Sequence, residues 1–187
     1  MKATGQLIQE HQAVLLMLQI MEAICSDLDQ GVQPNTDELD SVIDFLKGFV
    51  DKCHHGKEED ILFPELEARR VPNVGGPIDV MLSEHQRGRI LIKEMAEGVR
   101  LFKAGLSESI SKQLVPNARE YTKLLREHIA KENQVLFKMA DSLIDETSQN
   151  ELYEKFEELE FERMGSGQHE AYHHLLHELA KQHLGDH

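Results

Sequence analysis

His54-His55-Gly56-Lys57-Glu58-Glu59-Asp60-Ile61-Leu62-Phe63 returns 74 residues later as His128-Ile129-Ala130-Lys131-Glu132-Asn133-Gln134-Val135-Leu136-Phe137. The same shift lays Glu10-His11-Gln12 on Glu84-His85-Gln86. Each copy carries two histidines and one glutamate, so the chain holds a duplicated set: His11, His54, Glu58, His85, His128 and Glu132. Such a mixture of imidazole and carboxylate suits a pair of redox-active metal ions, iron above all. Glu58 and Glu132 each follow a histidine by four residues, which on a helix stacks both groups on one face.

Punctuation by proline, glycine and capping residues divides the chain into long helical segments. The first runs from about Thr4 to Gln30 and stops at Gly31 to Pro34. The second opens with the capping pair Asn35 and Glu38 and continues to about Arg70. Pro77 suits the first turn of the third, which ends near Gly105. The fourth begins near Ser107, is expected to kink around Pro116, and reaches about Asp145. Ser148 and Glu151 are spaced as a capping box ahead of a fifth helix to Met164, and a sixth follows from Gln168 to about Leu184. No strand pattern stands out. The expected fold is all-α: an up-down-up-down four-helix bundle over residues 1–146, with two additional C-terminal helices, residues 147–187, packed on it.

Two residues on an antiparallel helix pair are level when their midpoint falls in the connecting turn. The midpoint of His11 and His54 falls within Gly31 to Pro34, and that of His85 and His128 between Leu106 and Ser107. His54 and His85 have theirs a few residues short of the loop near Asn73, an offset of only a few ångströms. All four histidines therefore share one height. At about 100° per residue they also face inward: His11 with Leu7, Val14, Leu15 and Leu18, and His54 with Leu39, Ile43, Leu46, Val50 and Ile61. His85 lies with Ile78, Met81, Ile92 and Val99, and His128 with Leu124, Leu125, Val135 and Met139. A buried set of six such polar groups needs a cation to balance it.

Other residues near these admit two readings each. His55 lies a quarter-turn off the inward stripe, and Glu59 follows it by four; both the repeat and the helical phase favour His54 with Glu58 as the inner pair. His55 and Glu59 are then exposed or outer groups, with His55 as a fifth histidine ligand and Glu59 in place of Glu58 as the alternatives. Glu10 and Glu84 precede their histidines in both copies and are either solvated or acceptors for an imidazole N–H on a neighbouring helix. Gly88 stands where the first copy has Val14; it either allows close helix packing or opens space beside the metals for a small ligand. His169, His173 and His177 recur at four-residue spacing on the sixth helix and are expected at the surface or in an outer role, with His169 the one to enter the site if any does. The acidic run from Glu151 to Glu162 reads as the wet face of an amphipathic helix.

Composition narrows the function classes. The chain has 187 residues, enough for one domain with a real core, and is 40% apolar but only 5% aromatic without Trp, which favours helix packing. A net charge of −14 argues against nucleic acid and anionic membranes as partners. Cys25 and Cys53 are too few for a disulfide scaffold. The start MKATGQLIQEH lacks the apolar core of a signal peptide, and no apolar run spans a bilayer, so a soluble cytoplasmic protein is expected.

The two EHQ triplets with HHGKEEDILFP (residues 54–64) and EHIAKENQVLF (residues 127–137) resemble the hemerythrin-like family, in its HHE cation-binding branch. The resemblance covers about residues 5–145. It implies a non-heme di-iron centre within a four-helix bundle, with two carboxylates and an oxo or hydroxo species bridging the irons. By position the ligands would be His11, His54, Glu58, His85, His128 and Glu132. The dioxygen carriers of the family place a second histidine on their third helix, where this chain has Arg89, and end with an aspartate five residues after the last histidine, where this chain has Glu132 at four. An iron with fewer imidazoles is open to water, peroxide or nitric oxide. The resemblance thus implies binding or reduction of dioxygen, peroxide or nitric oxide, in iron handling or in oxidative or nitrosative stress. A peroxidase-like or oxygen-reducing enzyme, and a sensor or iron store without turnover, are the alternatives. Zinc can occupy nitrogen and oxygen ligands of this kind.

Overall fold

A computed structural model describes residues 2–185, and every regular element among them is helical. We number six helical rods: α1 (Ala3–Asp29), α2 (36–68), α3 (Pro77–Lys103), α4 (110–143), α5 (Glu146–Met164) and α6 (Gln168–Leu184). The Asn35 side chain starts α2 by accepting from the backbone N–H groups of Asp37 and Glu38 at 3.2 and 3.3 Å, and Pro77 stands in the first turn of α3. At α5 the expected cap is displaced. Asp145, not Ser148, closes the N-terminus, its carboxylate accepting from Ser148 N–H at 2.9 Å and so satisfying a donor the helix leaves free.

Two of the rods change winding where the histidine motifs lie. Helix α2 is π-helical over Leu46–His55 and Glu58–Leu62, and α4 over Ile110–Leu114 and Glu132–Leu136. A π turn closes i→i+5 bonds and advances each side chain by a smaller angle than an α turn. Pro64 and Pro116 each follow such a turn, in the first turn of the next α-helical stretch.

Apolar side chains form two clusters separated by one polar layer. One cluster contains Val14, Leu18, Phe45, Phe49, Leu91, Met95, Leu125 and Ile129; the other contains Leu7, Leu62, Phe63, Ile78, Met81, Leu136 and Phe137. Along each of the first four rods the sequence passes from one cluster to the other through His11, His54 to Glu58, His85, or His128 to Glu132. Helices α5 and α6 join these cores: Leu152 and Phe156 enter the second, and Tyr172, Leu176 and Leu179 the first. No helix of the described residues is long and apolar enough to cross a membrane.

Candidate metal centre

Seven side chains converge in the polar layer, in two groups that share a glutamate. His11, His54, Glu58 and Glu132 offer ligand atoms within 4.8 Å of one another, and so do His55, Glu58, His85 and His128. All seven are at most 3% exposed. Each carboxylate reaches toward both groups. Glu58 Oε1 lies 3.7 Å from His54 Nε2 while its Oε2 lies 3.3 Å from His85 Nε2. Glu132 Oε2 lies 3.1 Å from His11 Nε2 while its Oε1 lies 3.1 Å from His128 Nε2.

The outward edge of every imidazole is tied down. Nδ1 of His54 lies 2.7 Å from Glu10, that of His85 2.7 Å from Glu59, that of His128 2.9 Å from Glu84, and that of His11 2.9 Å from Asn133. His55 Nδ1 lies 3.5 Å from Asp51. These oxygens only accept, so each Nδ1 carries a proton and Nε2 is the nitrogen turned inward, the one that a bound cation would take. The inner atoms are left without hydrogen bonds: His11 Nε2, His55 Nε2 and both oxygens of Glu58 and of Glu132 are buried and unsatisfied. Protein interiors rarely leave such groups orphaned. Buried nitrogens and carboxylate oxygens turned toward common points are groups that could hold metal.

Burial disfavours charge throughout the layer, yet the carboxylates reverse its effect on most imidazoles. Burial lowers the His128 pKa, but Glu132, Glu84 and Glu58 outweigh it and push the group up to about 10. Burial alone would raise Glu132, but His128 and His11 hold its carboxyl well below the usual range. His55 goes the other way: burial, then His85, His54, His128 and Arg89, push it well down, leaving a neutral base.

The family model for the hemerythrin HHE cation binding domain matches residues 3–140. The chain belongs to this family. Similar curated proteins are uncharacterized proteins of Mycobacterium bovis and of two Mycobacterium tuberculosis strains, each 24% identical over 164 residues, which is 87% of this chain and 63% of theirs. This chain thus spans less than two thirds of the length of those relatives. No solved structure matches it.

Within this HHE domain the structure gathers His11, His54, Glu58, His85, His128 and Glu132, and it also places His55 where the α-helical phase does not. Of the places the sequence allows His55, exposed, outer or a fifth ligand, the first is corrected: it is 3% exposed and stacks on His85 with ring centroids 3.8 Å apart. The π winding of α2 accounts for this, because a smaller advance per residue brings both adjacent histidines inward. Glu59 stays outside, its Oε1 shared between His85 and Arg89 Nη2 at 2.6 Å. A Cβ at Gly88 would meet Tyr121 Cε2 at 3.5 Å and Leu125 Cδ2 at 3.9 Å, ordinary contacts with side chains of α4.

Three contributors were invisible in the spacing. Asn133 orients His11 from the register position that Glu59 uses to orient His85. Lys57 is fully buried and donates to Glu10 and to Glu160, at 2.5 Å each. Glu160 thereby leaves the wet face assigned to its run and turns inward; burial would raise its pKa, but His169 and Lys57 hold it at about 2. His169 does not enter the centre, but lies beside Glu160, with Nδ1 2.8 Å from Oε1.

Proposed function

We propose that this protein is a non-heme di-iron protein whose centre binds or reduces a dioxygen, peroxide or nitric oxide ligand, in iron handling or in oxidative or nitrosative stress. The carrying observation is the placement of Glu58 and Glu132, each with one oxygen toward either histidine group. Carboxylates so placed would span two ions held by His11 and His54 on one side and by His55, His85 and His128 on the other. Mixed imidazole and carboxylate donors favour iron, and zinc is the competitor. Iron bound there would supply electrons and affinity for small ligands. The scaffold for it is read as an up-down-up-down bundle over residues 1–146, with 147–187 as an extension on its wall.

The chain's own residues divide the work. Glu10, Glu59, Glu84 and Asn133 hold the imidazoles in one tautomer and one orientation. Arg89 replaces the histidine of oxygen carriers, yet His55 restores a third imidazole to that side. The His11 and His54 side then has fewer protein donors, and a small ligand would bind there. Burial of all seven side chains favours a ligand of two or three atoms over an organic substrate.

Anaerobic loading with ferrous iron, followed by metal analysis and Mössbauer spectroscopy, tests the reading. Two irons per chain are expected, together with a spectral change on adding nitric oxide to the reduced protein. A folded protein that takes up no iron, or only one, overturns it. Steady consumption of peroxide with a reductant would assign an enzyme, and binding without consumption a carrier or sensor.

A further inference from the structure

Outside the centre, α6 carries another pair of histidines with ring nitrogens turned toward each other. His169 and His173 stand one helical turn apart, and their Nε2 atoms lie 2.9 Å apart. His169 Nδ1 lies 2.8 Å from Glu160 Oε1. A carboxylate charge beside Nδ1 favours a proton there, and Nε2 is then the nitrogen of His169 that a metal would take. Glu10, Glu59 and Glu84 do the same for histidines of the inner centre. Both rings rest against buried Phe49, with centroids 5.7 and 6.2 Å from its ring, so their positions are prepared before any ion arrives. They open on a surface cavity that Gln6, Gln9, Glu157 and Glu170 also line, which supplies oxygen groups and water.

We propose that His169 and His173 form a second metal site, separate from the buried centre, that takes one nitrogen-preferring divalent cation such as Zn2+. Two imidazoles four residues apart on a helix chelate one ion. Tetrahedral zinc with bonds of ~2.0–2.1 Å needs its two nitrogens roughly 3.3 Å apart, a small ring rotation from their present separation. Water and an oxygen group of the cavity complete the coordination, and Glu160 orients His169. Glu160 also accepts from Lys57, so the outer site shares a carboxylate with the chain Lys57–Glu10–His54 that ends on the inner centre.

The experiment is calorimetric titration of the iron-loaded protein with zinc chloride in excess Mg2+. Wild type should take up one Zn2+ per chain without releasing iron. Glu160→Gln should weaken that uptake by about tenfold, and His169→Ala or His173→Ala by more, with iron content unchanged. His173 is exposed, so its replacement leaves the fold intact, and His177→Ala one turn further serves as the neutral control. The readout is the difference between wild type and the α6 variants, which does not depend on what fills the inner centre. Absence of zinc uptake by wild type overturns the proposal, as does wild-type affinity in both histidine variants, which would leave only a ring-to-ring hydrogen bond. Zinc uptake matched by iron release also overturns it, by placing the zinc in the inner centre.

Discussion

His55 occupies the register position that Ile129 holds in the second copy, and its neighbours differ in the same way. Asp51 and Arg89, which surround it, correspond to Leu125 and Leu15. The repeat is therefore faithful in six inner side chains and unfaithful around one, and that departure makes the two halves of the centre unequal. Both facts are present in the sequence: the doubled His54-His55 against His128-Ile129 is visible without coordinates. Its meaning is hidden because an α-helical phase of about 100° per residue turns His55 away from the centre, whereas the segment winds as π. His55→Ile, which copies the second half, should keep the fold and lose metal from the three-histidine side. Metal analysis after dialysis against a weak chelator checks this; a variant that holds as much metal as wild type would return His55 to an outer role.

At the scale of the elements, the repeat also copies a three-residue strut. His54–Glu10–Lys57 in the first half matches His128–Glu84–Lys131 in the second. Their surroundings differ, because α5 and α6 cover only the first. Lys57 is fully buried, whereas the Lys131 side chain is 40% exposed. Removing one member of a buried ion pair costs about 3–5 kcal/mol, against at most about 1 kcal/mol for an exposed pair. Lys57→Met should therefore lower stability by about 3 kcal/mol and Lys131→Met by well under half of that, measured by urea unfolding of the metal-loaded proteins. Equal losses would show that the cover from α5 does not matter. Helix lengths and the common height of the histidines were legible because both follow from residue counts along regular helices. The burial of Lys57 was not, since its repeat partner has the same sequence context and a wet environment. The inward turn of Glu160 depends on that buried ammonium and was hidden with it.

At the scale of the whole molecule, α5 and α6 belong to the cores as fully as the four histidine-bearing rods do. Leu152, Phe156, Tyr172, Leu176 and Leu179 are all buried. Side chains of this kind stabilise by ~1.5–3 kcal/mol each when fully buried, and a domain's net stability is only ~5–15 kcal/mol. A chain ending at Asp145 should lose its cooperative thermal transition and its ability to retain metal, as followed by circular dichroism and metal analysis. A truncated chain that melts cooperatively and keeps its metal would show that residues 1–146 suffice alone. Apolar periodicity identified these helices, but their own sequence does not say which surface they cover; that surface is fixed by Lys57, Phe49 and Glu10 on other elements.

The one-sided cover gives the molecule a front and a back. Behind His54, the path outward runs through Glu10, Lys57, Glu160 and His169, four side chains deep and joined at each step. Behind His128 it runs through Glu84, 19% exposed, to Lys131, and there it meets water. Two halves alike in sequence thus present a thick wall and a thin one, and the shorter chain of side chains between solvent and the buried layer lies on the His128 side.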